Sequence, residues 1–243
     1  MLNYDKTCVV LTGCIKPESN VFKLALKDEE ARLQQYLESI NYFICETKVK
    51  KIVFCDNSNY AKNESIMEKA RKYGKEFEWL SFQGDTAKTL TQGKGYGEGE
   101  IIDYVLDYSQ IIKDCDSFIK VTGRLKVKNI RMFFALLSHK YSYFVVSEDY
   151  VDTRCYMANI SIFKDVLREA YKNVNDPAGY YLEHAYYDVI AGKSDKFKSL
   201  PFYANIEGMS GSSGKIYYEA KFKYILRTFK RFVVATKENI TKN

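Results

Sequence analysis

Short apolar runs rich in β-branched residues recur along this chain with helical stretches between them, and that alternation limits the fold more than any other feature. TCVVLTGCI, KKIVFCDNSN, FEWLSFQ, SFIKVTGRL and YSYFVVSED read as strands. DEEARLQQYLESINYFICE reads as a helix, with Leu33, Tyr36, Leu37, Ile40, Phe43 and Ile44 on one face and acidic residues in the first turn. IMEKARKYGKE is a second helix closed by Gly74, GKGYGEGEIIDYVLDY a third running to Tyr108, and ISIFKDVLREAYKNV another. Strands separated by helices return parallel, so the expected class is α/β, with a mostly parallel central sheet and helices on both faces. In such sheets ligands sit at the carboxyl ends of the strands.

At 243 residues and 46% hydrophobic content the chain can bury a large core. With three prolines and no Pro/Ser-rich linker, no internal boundary stands out; the division expected is a body over 1–214 and a basic amphipathic tail over 215–243. The opening MLNYDKTCVVLTG reads as a first strand, not a secretory leader. Six cysteines without metal-like spacing read as buried thiols of a cytoplasmic protein. No apolar stretch approaches the ~18 residues of a membrane span. The tail holds eight basic residues against two acidic ones, equal to the whole formal charge of +6. Confined there, that charge argues against nucleic acid as a partner. Tyr218, Phe222, Ile225, Leu226, Phe229, Phe232 and Val233 share one helical face. The tail can dock that face on the core, or lay it on an anionic bilayer as a peripheral helix.

The strand ends present Thr12-Gly13, Asp56-Asn57-Ser58 and Thr122-Gly123-Arg124. A dinucleotide fingerprint requires G-x-G-x-x-G after the first strand, and here LTGCIKPESN follows it. The Walker pattern is absent as well. Four glycines between Gly93 and Gly99 nevertheless open a helix, whose N-terminal N–H groups are suited to an anion.

This order of segments resembles the GT-A glycosyltransferases, in particular their large inverting family, over roughly residues 7–188. The resemblance implies that Asp56 contacts the nucleobase, with Thr12, Gly13, Asn57, Ser58, Thr122 and Gly123 around the donor nucleotide. It also implies that Lys94, Gly95 and Gly97 face the nucleotide and Glu98 the ribose or sugar. Where the family carries a D-x-D pair that holds a divalent metal, this chain has Thr122-Gly123-Arg124. Arginine cannot ligate Mg²⁺ or Mn²⁺, but it can hold phosphate directly, so a donor site without metal or other cofactor is expected. A surface ion pair of Arg124 with Glu148 or Asp149 is the plainer alternative.

By the same resemblance the catalytic base stands in YYLEHAYYDVI, where Glu183 is the candidate and Asp188 the reserve. His184 beside it can bond a phosphate or the acceptor, or simply serve the helix. Asp152 and Arg154 project together if extended and suit sugar hydroxyls, although a mutual ion pair accounts for them equally. In EGMSGSSGKIYY, Ser212, Ser213 and Lys215 can form an anion-binding loop over the donor. The expected activity is inverting transfer of a sugar from a nucleotide donor to a glycan acceptor, at the inner face of the plasma membrane. A lipid-linked acceptor, as in bacterial capsule or lipopolysaccharide assembly, fits the tail. A CDP-polyol phosphotransferase and a non-catalytic glycan-binding module are the competing readings.

Overall fold

The computed structural model describes residues 4–241 apart from 19, 21, 23–25, 137–139, 194, 211–213 and 218–220. Its elements are β1 (Thr7–Gly13), α1 (Glu29–Glu46), β2 (Lys51–Asp56), α2 (Glu64–Lys72), β3 (Glu76–Ser81), α3 (Thr86–Gln92), α4 (Lys94–Tyr108) and α5 (Gln110–Lys113). Then follow β4 (Ser117–Thr122), β5 (Leu125–Val127), α6 (Ile130–Phe134), β6 (Ser142–Phe144), β7 (Cys155–Asn159) and the single turn α7 (Ile160–Ile162). The chain continues through α8 (Leu182–Ile190), β8 (Phe197–Ser199), β9 (Ile206–Met209) and β10 (Ile216–Tyr217) to α9 (Lys221–Thr241).

Seven strands form one sheet in the order β3-β2-β1-β4-β7-β6-β8. β1 pairs parallel with β2 and β4, β2 with β3, and β6 with β8, while β7 runs antiparallel to both of its neighbours. The mostly parallel α/β sheet is thus the one the alternation predicts. β7 departs from it because the connection over residues 145–154 contains no helix to carry the chain back to its starting end. Side-chain alternation along β1 divides the core. Cys8 and Val10 pack beneath α4, α5 and α8, and Val9 and Leu11 beneath α1, α2 and α6.

α1 begins where its sequence says it should: the Asp28 carboxylate accepts from Ala31 N at 2.7 Å. α2 ends at Gly74, whose φ of +65° is left-handed. The helix expected over ISIFKDVLREAYKNV is irregular, with a π turn at Phe163–Leu167 and a 3₁₀ turn at Ala170–Asn173. This irregular path buries Phe163, Leu167, Ala170, Tyr171 and Val174 together. A second sheet, β10-β9-β5, flanks the first. Its β10 lies beyond residue 214 yet pairs with β9 at Ile216↔Met209.

Candidate functional site

β1 is flanked on one side by β2 and on the other by β4, so the chain winds away from it in both directions. Such a switch point leaves a crevice at the strands' carboxyl ends. A cavity of about 790 Å³ opens there, lined by Thr12 and Gly13 from β1, Asn57 and Ser58 after β2, Thr122 at the end of β4 and Arg124 just beyond it. Lys94, Gly97 and Glu98 of α4, Arg154 and Glu183 also line it. Eleven residues singled out from six separate stretches of sequence therefore share one cavity.

Asp56 does not line it. It is fully buried, and its carboxylate accepts from Ile15 N (2.7 Å), Ser58 N (2.9 Å), Ser58 Oγ (2.9 Å) and Tyr60 N (3.0 Å). Both oxygens are engaged by the chain's own loops, so Asp56 shapes the rim and has no oxygen turned to a base. The Ser58 hydroxyl also accepts from Lys16 N at 2.9 Å, fastening the segment after β1 to the end of β2. Gly123 supports the site from behind. Its N donates to Thr12 O at 2.9 Å, and a Cβ there would lie 2.5 Å from that carbonyl oxygen.

The glycines of α4 serve helix packing more than ligand approach. The buried Asp176 carboxylate accepts from Gly95 N at 3.2 Å and so occupies the helix N-terminus that an external anion would use. Burial raises the pKa of Asp176, against the opposing Gly95 bond and Lys94 charge, with the Glu183 charge adding to the rise. A Cβ on Gly99 would sit 2.1 Å from Tyr171 Cβ. Of the two glycines assigned to the nucleotide, Gly97 reaches the cavity and Gly95 faces Asp176 instead.

Glu98 is tied to the floor. Its Oε1 accepts from Lys120 Nζ, from Thr122 Oγ1 (3.2 Å) and from Thr12 Oγ1 (3.3 Å). Lys120 is 1% exposed and also donates to Thr153 O at 2.7 Å. The Thr153 hydroxyl in turn donates to Glu183 Oε1 at 2.8 Å. A continuous polar chain thus runs from α4 under the cavity to the first turn of α8, and it holds the Glu183 carboxylate at the wall. Lys120 was not foreseen from the sequence, although a lysine in the middle of an otherwise apolar strand is a signal of a buried partner.

The other candidates in this region have internal partners. His184 Nδ1 accepts from Tyr181 N at 3.1 Å, which caps α8, and His184 does not line the cavity. Asp188 is exposed away from the cavity and accepts from Tyr180 Oη at 2.5 Å. Asp152 and Arg154 form a two-point ion pair, Nε to Oδ1 at 2.9 Å and NH2 to Oδ2 at 2.6 Å. Asp152 is thereby consumed, while Arg154 still reaches the cavity and lies over the Tyr217 ring at 5.1 Å. Ser212 and Ser213 lie outside the described residues, and Lys215 is not among the lining residues.

Arg124 is 6% exposed and makes no ion pair with Glu148 or Asp149. Its NH1 donates to Gln35 Oε1 at 3.0 Å, its Nε is buried with no acceptor, and its guanidinium stands 5.9 Å from the Tyr36 ring centroid. Burial, with Arg32 as a like charge nearby, lowers its pKa. Arg32 was not foreseen from the sequence. It is 4% exposed, lines the same cavity, and donates to Cys14 O (2.7 Å), Leu26 O (2.9 Å) and Tyr36 Oη (3.2 Å). Two buried guanidiniums thus flank Tyr36, and neither meets a carboxylate among the described residues. Cys14, also on the wall, has its thiol pushed up to about 11 by burial and is no nucleophile at neutral pH.

No protein-family model matches the sequence, and no curated protein matches it. Solved structures do resemble the fold. One is a Desulfovibrio desulfuricans G20 protein provisionally described as a nucleotide-diphospho-sugar transferase (9% identity, 81% of this chain and 80% of that one, TM-score 0.48). Another is LgtC (10%, 91% and 83%, TM-score 0.49), and a third is Staphylococcus aureus TarS in complex with UDP (11%, 98% and 68%, TM-score 0.46). At these identities and scores the likenesses transfer no residue role to this chain.

Proposed function

We propose that the cavity binds a nucleotide-sugar donor and that the chain transfers its sugar to a glycan acceptor. The observation that carries this is the pair of buried, carboxylate-free guanidiniums of Arg32 and Arg124 at the switch-point crevice. Leaving two like charges in a desolvated wall is costly unless an anion joins them, and phosphate oxygens match the guanidinium fork. In this reading the Arg124 guanidinium and its neighbours stabilise the negative charge that develops on the leaving nucleotide, with no metal required. Such charge is greatest as the bond from the anomeric carbon to the phosphate oxygen breaks.

Glu183 is the general base. The Thr153 hydroxyl fixes one oxygen of its carboxylate at the cavity wall, and the carboxylate takes the proton of the acceptor hydroxyl as that oxygen attacks the anomeric carbon. Attack opposite the leaving nucleotide inverts the anomeric centre. Thr12, Asn57, Ser58, Lys94, Glu98 and Thr122 surround the donor, and Arg154 with Tyr217 forms the wall nearer the acceptor. A lipid-linked glycan of a bacterial capsule or lipopolysaccharide is the acceptor class we favour, with the reaction at the cytoplasmic side of the membrane. The test is calorimetric titration of CMP, CDP, UDP and GDP, each in excess chelator. At least one should bind saturably; no binding by any of the four, or binding that requires a divalent cation, would overturn the proposal in that respect.

A further inference from the structure

Helix α9 presents three different sectors, and the apolar one faces away from the protein. Tyr224, Thr228, Arg231 and Ala235 recur at four, three and four residues and make the docked sector. Arg231 and Ala235 are buried, Arg231 Nε donates to Leu200 O at 3.0 Å, and Tyr224 Oη meets Asn129 Nδ2 at 2.8 Å and Tyr203 O at 3.2 Å. These bonds fix the rotation of the helix. Phe222, Ile225, Leu226, Phe229, Phe232 and Val233 are then turned outward, between 41% and 72% exposed. Beside them run the exposed Lys223 and Lys230, with Arg227 lying over the Tyr203 ring at 4.2 Å.

The expectation that this apolar face could dock on the core is therefore corrected. A basic residue, Arg231, docks, and the apolar stripe does not. We propose that the stripe inserts into the surface of an anionic lipid bilayer, with α9 lying in the interface plane. A contiguous ridge of six large apolar side chains is beyond what scattered surface hydrophobes explain. An apolar stripe edged by lysines is what partitions into the headgroup boundary of anionic lipid. A second copy of the chain is a poorer occupant, because a two-fold contact through the ridge brings its basic strip towards an identical one. No described helix is long and apolar enough to cross a membrane, so α9 lies on the bilayer and does not span it. Tyr217, which lines the cavity, is four residues before Lys221, so at most about 14 Å of chain separates the cavity wall from the bilayer-bound helix. The inference stands on α9 alone and does not depend on the transfer reaction.

The experiment is co-sedimentation of the full chain with phosphatidylcholine vesicles, with and without phosphatidylglycerol. The wild type should pellet with the anionic vesicles and remain in the supernatant with the neutral ones. Phe229→Ser with Phe232→Ser should lower the partition coefficient at least about tenfold at an unchanged melting temperature, since both side chains are exposed. Phe222→Ser, at the most exposed of these positions, provides a second, milder variant. Lys223→Ser and Lys230→Ser should each cost about fivefold at low salt, with the effect lost at high salt. Wild type that stays in solution with anionic vesicles overturns the inference, as does binding that the Phe variants leave intact. Light scattering that shows a dimer abolished by Phe229→Ser with Phe232→Ser, without vesicle binding, assigns the ridge to a second copy instead.

Discussion

Arg124→Met separates a ligand-binding guanidinium from one that merely holds the fold together. In the free protein Arg124 gives one charge-assisted bond to Gln35 Oε1 at 3.0 Å and stands 5.9 Å from the Tyr36 ring centroid. Those contacts are worth about 1.5–3 kcal/mol and ~0.5–1 kcal/mol respectively. Against them stands the desolvation of a guanidinium only 6% exposed, with a buried Nε that has no acceptor and Arg32 as a like charge nearby, a penalty of several kcal/mol. The opposing sums nearly cancel. Methionine fills much of the space of the arginine stem without its charge, so the melting temperature should hold within a few degrees or rise. Nucleotide affinity should behave differently. A charged hydrogen bond to phosphate is worth roughly 1.5–3 kcal/mol, so Kd should increase about 10- to 150-fold in calorimetric titration with whichever of CMP, CDP, UDP and GDP binds the wild type. Arg124→Lys, which retains the charge but not the planar fork, should fall between the two. An unchanged Kd would refute the phosphate role. A large fall in melting temperature accompanying lost affinity would instead make Arg124 a structural residue and refute the cancellation.

Three further outcomes are expected. Glu183→Gln should retain nucleotide affinity while turnover falls by roughly 10²–10⁴, and near-normal turnover would remove Glu183 from the role of base. Gly99→Ala forces a Cβ to within 2.1 Å of Tyr171 Cβ. The overpacking, about 1–3 kcal/mol, should outweigh the ~1 kcal/mol gained in helix propensity, and chemical denaturation should show a net loss. Asp176→Asn tests the carboxylate under α4. Burial raises the folded pKa of Asp176 above the unfolded value of ~3.9, so between the two the native state binds more protons and stability falls as pH rises. The wild type should therefore lose stability relative to Asp176→Asn as pH rises through that window and run parallel to it above; a pH-independent difference would contradict a raised pKa.

Much of the site's address was legible before any tertiary contact was known. Alternating strands and amphipathic helices imply a parallel sheet, ligands sit at the strands' carboxyl ends, and Thr12-Gly13, Asn57-Ser58 and Thr122-Gly123-Arg124 occur there in the chain. Gly13, Asn57, Ser58 and Arg124 all line the cavity as that rule requires. The rule is local because a strand's direction and its end are properties of a few consecutive residues. The amphipathic character of α9 was local for the same reason, since helical periodicity groups its apolar residues on one face whatever the surroundings.

Only the tertiary structure decided how each polar group spends its hydrogen-bonding capacity. Asp56 satisfies Ile15, Ser58 and Tyr60, and Asp176 arrives from 81 residues away to occupy the N-terminus of α4. Arg32 from α1 and Arg124 from beyond β4 meet across Tyr36, and Lys120 finds Glu98 on the sheet face that α4 covers. Periodicity likewise left open which face of α9 would dock. Bonds from Arg231 to Leu200 and from Tyr224 to Tyr203, made to segments distant in sequence, set the rotation and turned the phenylalanines outward. A residue's type and spacing define what it can donate, accept or bury; the partner that claims it is set by packing among segments that the sequence keeps far apart.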